Sequence, residues 1–263
     1  MGIRAFKVDS FTAEPFAGNP AAVCLLTDTR EERWMQAVAR EMNLSETAFL
    51  LRDAAGFRLR WFTPAVEVAL CGHATLASAH VLWEEGILAP AATARFATAS
   101  GELRAARRGD LIELDFPSKP EEAAEPPANL LEALGVRPVY LGRNAFDYLL
   151  LLENEAAVRA VAPDFAVLRK VSVRGVIVTA PASTPGYDFV SRFFAPAVGV
   201  DEDPVTGSAH CCLGPFWAAR LGKTELSAFQ ASPRGGAMRV RVAGGRVFLG
   251  GRAVTILRGE LSV

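Results

Sequence analysis

The chain has 263 residues, 51% of them hydrophobic, enough to bury one large core or two ordinary ones. Lys plus Arg and Asp plus Glu number 28 and 29, so there is no excess charge to hold a phosphate backbone or an anionic surface, and no nucleic-acid partner is expected. The amino terminus runs straight into a strand-like alternation without the leader pattern of a secreted protein. Apolar runs such as Tyr148 to Leu152 fall far short of the about 20 residues that span a bilayer, so the expectation is a cytoplasmic protein with no membrane partner.

In chain order, Phe6 to Phe11 alternates like a strand, and Ala17-Gly18-Asn19-Pro20 is turn chemistry ahead of a second strand, Ala21 to Leu26. Arg30 to Met42 has helical spacing of Trp34, Met35, Val38 and Met42. Asn43-Leu44-Ser45 ends that helix before a strand over Thr47 to Leu51, which leaves Glu46 at a helix-to-strand junction. Phe57 to Phe62 alternates again, and Ala74 to Glu85 reads as an apolar helix preceded by a glycine. Phe116 to Pro127 concentrates proline and acid without periodicity and reads as a solvated linker. The expected domains are therefore 1–118 and 119–263.

Beyond the linker a short helix over Asn129 to Leu134, strands near Tyr140 and over Tyr148 to Leu152, and a helix through Ala156 to Val161 are expected. Strands over Val176 to Thr179 and Tyr187 to Phe194 come next, repeating the order of the first half, and Arg239 to Val242, Arg246 to Leu249 and Ala253 to Leu257 close the chain as strands. An internal echo supports two similar halves. Arg60-Trp61-Phe62-Thr63-Pro64-Ala65-Val66 matches Arg192-Phe193-Phe194-Ala195-Pro196-Ala197-Val198 at five of seven positions. Each copy leads through a loop to a glycine-opened apolar helix, Gly72-His73-Ala74-Thr75 and Gly207-Ser208-Ala209-His210.

A helix that opens at glycine presents unpartnered backbone N–H groups, and two such starts facing one cleft would grip a small carboxylate. At the first of them, the positive helix end is expected to lower the His73 pKa. Cys24, Cys71, Cys211 and Cys212 show no C-x-x-C spacing and read as reduced thiols, and with only His73, His80 and His210 available no metal is expected. The dinucleotide and phosphate-loop glycine motifs and the G-x-S-x-G elbow are absent, which argues against hydride transfer, phosphoryl transfer and triad hydrolysis.

Phe16-Ala17-Gly18-Asn19-Pro20, Leu44-Ser45-Glu46-Thr47-Ala48-Phe49, Phe62-Thr63-Pro64, Cys71-Gly72-His73-Ala74-Thr75, Asp203-Pro204-Val205-Thr206-Gly207-Ser208 and Gln230 with Arg234-Gly235-Gly236 occur in this order along nearly the whole chain. As a set they resemble the phenazine-biosynthesis PhzF-like isomerases. The resemblance implies an α/β (α+β) fold similar to diaminopimelate epimerase: two pseudo-symmetric lobes, each a β-barrel-like sheet wrapped around a central helix. The last strand, about 252–263, would return to the first lobe. It further implies a cofactor-independent isomerase acting on a small carboxylate-bearing metabolite. Glu46 would be the acid/base group that shifts a proton, with His73, Asp203 and Ser208 as relays or binding groups and Gly72, Gly207, Asn19, Ser45 and Thr206 around the substrate. A homodimer is implied as well. Two alternatives stay open: an amino or hydroxy acid epimerase using two cysteines, Cys71 standing where the first would be, and a binding protein without chemistry on the same fold.

Overall fold

The computed structural model describes residues 2–262, and the chain divides into two compact units, Met1–Phe116 with Leu249–Val263, and Pro117–Phe248. The first unit opens with β1 (Ile3–Ser10) and β2 (Asn19–Leu26), followed by α1 (Glu32–Met42), β3 (Glu46–Asp53), β4 (Gly56–Phe62) and the two-residue β5 (Glu67–Val68). Next come α2 (Gly72–Glu84), β6 (Ala94–Thr98), β7 (Gly101–Arg108) and β8 (Leu111–Pro117). The second unit contains β9 (Glu122–Ala123), α3 (Leu130–Leu134), β10 (Tyr140–Arg143), β11 (Asp147–Leu151), α4 (Glu155–Ala160), α5 (Phe165–Leu168), β12 (Gly175–Pro181) and β13 (Phe189–Ala195). A 3-10 turn over Pro196–Val198 leads into β14 (Val200–Glu202), α6 (Gly207–Leu221), β15 (Glu225–Gln230), β16 (Gly236–Ala243) and β17 (Arg246–Gly251). Finally β18 (Ala253–Leu261) pairs antiparallel with β1, from Ile3 with Leu261 to Ser10 with Ala253. Strands at 94–117 and 225–230, which no sequence pattern marks, complete the sheets.

The two units repeat one pairing scheme. In the first, β1 is antiparallel to β2, β2 parallel to β3, β3 antiparallel to β4, and β4 parallel to β6. In the second, β10, β11, β12, β13 and β15 stand in the same relations. Helices α2 and α6 are apolar on every face and buried accordingly, unlike α1, which buries only Met35, Val38 and Ala39. Helix α2 packs against β1, β2, β3, β7 and β18, and α6 against β15 and β16.

The echoed sequence has a structural reason. Arg60 forks onto Glu67 through Nε and Nη2, both at 2.6 Å, and Arg192 forks onto Glu202 at 2.7 and 2.8 Å. Each guanidinium also lies over the phenylalanine two residues on, 5.1 Å from the Phe62 ring and 4.8 Å from the Phe194 ring. The motif thus ties a strand end to the chain that returns past it, before the central helix begins.

The proline-rich stretch after Phe116 is largely exposed but it is not free. Pro215 lies inside α6 and has no N–H, so the carbonyl of Cys211 loses its helical partner; the Lys119 N–H takes that place at 2.9 Å. Ser118 N–H donates to the Gly245 carbonyl at 2.9 Å, and β9 pairs with β10. The solvated stretch is thus also docked, at Lys119, on a gap that another proline makes.

The two arginine braces differ in burial, with side-chain exposures of 38% and 29% for Arg60 and Glu67 against 10% and 14% for Arg192 and Glu202. Arg192 Nη1 also donates to the Val161 carbonyl at 2.6 Å. Arg192→Met is expected to cost about 3 kcal/mol or more by stranding a buried carboxylate, and Arg60→Met about 1 kcal/mol or less. Urea unfolding of the two variants checks this, and equal losses would contradict it.

Candidate functional site

In the first unit, the end of β1 and the start of β3 bring polar residues to the start of α2. Asn43 ends α1 in the left-handed conformation (φ 48°), which turns the chain so that Glu46 becomes the first residue of β3, beside Ala21 of β2. Asn19 opens β2 opposite Ser10, the last residue of β1, and both are fully buried. The Ser10 hydroxyl donates to the His73 carbonyl at 2.9 Å, and Thr75 donates to the Cys71 carbonyl through its N–H at 3.2 Å and its hydroxyl at 2.5 Å. These contacts fix the first turn of α2. Ser45 directly precedes β3, and Gly72 opens α2.

His73 is the hub of the cluster. Its Nε2 lies 3.1 Å from Glu46 Oε2 and its Nδ1 3.6 Å from Cys71 Sγ. The side chains of His73 and Glu46 are 6% and 18% exposed, yet the two facing atoms, though at ion-pair distance, are not aligned as a hydrogen bond and have no other hydrogen-bond partner. Burial by itself disfavours an imidazolium at His73, but the Cys71 sulfur and the Glu46 carboxylate outweigh it, and its pKa stands well above 6.5. This reverses the sequence expectation, because the carboxylate is closer than any effect of the helix end. Burial, then the Glu46 charge, pushes the Cys71 thiol up to about 11, so it is a neutral thiol at physiological pH.

Ligand atoms of Glu46, Cys71 and His73 lie within 4.8 Å of one another, and the donor types are those of zinc sites. A metal takes one ring nitrogen, however, whereas here each ring nitrogen faces a different group. That arrangement suits a chain of proton-exchanging groups.

The second unit holds its own helix start differently. Gln230 clamps the loop: its Oε1 accepts the Thr206 N–H at 2.9 Å, and its Nε2 donates to the Asp203 carbonyl at 2.7 Å and to Thr206 Oγ1 at 3.1 Å. The Thr206 hydroxyl donates to Asp203 Oδ2 at 2.6 Å, and the Ser232 hydroxyl donates to the Pro204 carbonyl at 2.8 Å. Gly207 opens α6, and the Ser208 hydroxyl oxygen accepts from Arg174 Nη1 at 3.1 Å. The other side of that guanidinium forks onto the buried Asp147, with Nε on Oδ1 at 2.9 Å and Nη2 on Oδ2. Burial lifts the Asp147 carboxyl above its ordinary value, with Arg174 pulling the other way. His210 lies a turn into α6 with Nδ1 on the Thr206 carbonyl at 2.8 Å, and burial pushes its pKa down to about 4, so the ring is neutral.

Glu46 and His73 thus come together with Cys71, and Asp203, Thr206 and Ser208 gather around the start of α6. Sequence reasoning missed Ser10, Asp147 and Arg174. The first two look like ordinary strand-end residues; Arg174 was legible only by carrying the echo back through strand register. All four cysteines are unpaired and buried, and none of the described helices is long and apolar enough to cross a membrane.

Relatives of known sequence and structure place this fold among isomerases and epimerases. An uncharacterized isomerase of Halalkalibacterium halodurans is 54% identical over 262 residues, covering 99% of each chain. The crystal structure of a phenazine biosynthesis protein of the PhzF family from Enterococcus faecalis superposes with a TM-score of 0.95 at 41% identity over 100% of both chains. A predicted epimerase from Pseudomonas aeruginosa superposes at TM-score 0.76 and 25% identity, over 99% of each. The family model PhzC-PhzF, phenazine biosynthesis-like protein, matches residues 8–259, and the chain belongs to that family. It is an enzyme of the isomerase type on an epimerase-like fold.

The His73 pKa depends on its carboxylate neighbour, so in Glu46→Gln the ring midpoint is expected to fall, as burial then acts with less opposition. Because the folded value is raised, its contribution to stability is fully present below pH 6.5 and is lost as pH rises through the folded pKa. Imidazole NMR titration of both proteins checks this. An unchanged His73 midpoint would show that Glu46 does not set it.

Proposed function

We propose that this protein is a cofactor-independent isomerase that shifts a proton on a small carboxylic acid, Glu46 removing the proton from one carbon and returning it at another. The observation that carries this reading is the Glu46–His73 pair: two buried polar atoms 3.1 Å apart, neither engaged in a hydrogen bond. A carboxylate in that setting has a lone pair to offer a carbon acid, and a neighbouring imidazolium can donate a proton and take it back while the carbanion equivalent persists. Gly72, Asn19 and Ser45 in the first unit, and Asp203, Thr206, Gly207 and Ser208 in the second, are assigned to holding and steering the carboxylate-bearing substrate. The family resemblance extends the proposal to a homodimer, and the composition extends it to a cytoplasmic location.

The two-cysteine alternative has less support. Cys71 is the residue before α2, and the matching residue before α6 is Thr206, which has no thiol; Cys211 lies further along, inside α6. A neutral Cys71 is also a poor base. The decisive assay tracks deuterium from solvent into carbon-bound positions of a panel of unsaturated cyclic, amino and hydroxy carboxylic acids. Wild type is expected to label at least one, Glu46→Gln to lose about 1,000-fold or more of that rate as its general base is removed, and Cys71→Ser to keep most of it. Loss in Cys71→Ser with retention in Glu46→Gln would reverse the assignment, and no labelling of any acid would favour a binding protein.

A further inference from the structure

The strand registers extend the internal repeat beyond the echoed motif. Thr47 pairs with Phe62 across β3 and β4, and Val176 pairs with Phe194 across β12 and β13. Phe62 and Phe194 are matched positions of the motif, so Thr47 corresponds to Val176, Glu46 to Gly175 and Ser45 to Arg174. Likewise Cys71-Gly72-His73 corresponds to Thr206-Gly207-Ser208. The first unit therefore sets a carboxylate, Glu46, against the second residue of its central helix, and the second unit sets a guanidinium, Arg174, against the second residue of its own.

The second unit has no room for the carboxylate. A Cβ on Gly175 would stand 2.2 Å from Phe193 Cζ, and Arg174 lies between the rings of Phe146 and Phe193, at 5.2 and 5.7 Å. Two guanidinium nitrogens neutralise Asp147, and a buried ion pair needs no more than those. The third, Nη1, is spent on Ser208. A hydroxyl that accepts from a cation has its own proton left to give, and an anion is the acceptor it then favours.

We infer that Arg174 is a positioning residue for substrate binding: by donating to the Ser208 oxygen it directs the Ser208 hydroxyl proton onto the substrate carboxylate. This rests on the reading that the substrate is a small carboxylic acid held at Ser208. One half of the repeat has kept an acid/base pair, and the other has become a carboxylate anchor.

The test is a double-mutant cycle of Arg174→Lys and Ser208→Ala, read by ligand-observed NMR with benzoate, cyclohexanecarboxylate and acetate, each against its primary amide. Lysine keeps the charge beside Asp147 but has a single ammonium to share. Wild type is expected to prefer an acid to its amide, and each single variant to lose that affinity about ten-fold. The double variant is expected to bind no more weakly than Ser208→Ala alone. Additive losses, or Arg174→Lys binding like wild type, would overturn the inference while leaving the carboxylate reading intact. If wild type prefers no acid to its amide, the carboxylate reading itself fails and takes the inference with it. Should Arg174→Lys lower the melting midpoint, Arg174→Met with Asp147→Asn removes both charges together, and the same cycle is run with that pair.

Discussion

The arrangement of each unit depends on a helix buried on every side. A helix with no solvent face has its side chains fixed by strands, and its first turn carries N–H groups that the helix itself does not satisfy. In α2 and α6 the residues at that end are polar or small, His73 and Thr75 after Gly72, Ser208 and His210 after Gly207, while the later turns are mostly apolar. Polar chemistry is thereby confined to one end of each central helix. The end of β1 and the start of β3 in the first unit, and Arg174 directly before β12 in the second, supply the partners.

Duplication has treated framework and site unequally. The arginine brace survives in both units with the same forked geometry and the same aromatic ring beneath it. So does the contact four residues into each helix, where Thr75 in one and His210 in the other hold the carbonyl of the residue before the helix. What has diverged is the pair of side chains at the helix start and the strand residue facing it. Parts that set the path of the chain tolerate little change, because a stranded buried charge is costly. Parts proposed to meet a ligand are exchangeable once two copies exist.

Much of this was legible in the sequence. The alternation of β1 and β4, the spacing of α1 and the uninterrupted apolar character of α2 gave the elements directly, and the R-x-F-x-P-A-V echo gave the repeat. Strands β6 and β7 escaped because each buries only two residues, Ala94 and Phe96 in one and Leu103 and Ala105 in the other, too few to set an alternation apart from chance. The solvated linker after Phe116 was legible from composition, which is silent only on its hydrogen bond to a carbonyl that Pro215 leaves open. The sign of the His73 shift was missed for a similar reason. It depends on a carboxylate 27 positions away in sequence, and no local pattern reports that distance.

The pairing of β1 with β18 also bears on how the molecule is made. The first unit closes only when Ala253–Leu261, which follow the whole of the second unit in the chain, lie down along Ile3–Ser10. The second unit is one continuous stretch, Pro117–Phe248. Although it is translated later, it is the half able to finish first during synthesis. Until β18 follows, the first unit waits with one edge of its sheet open, the kind of edge that invites unwanted pairing.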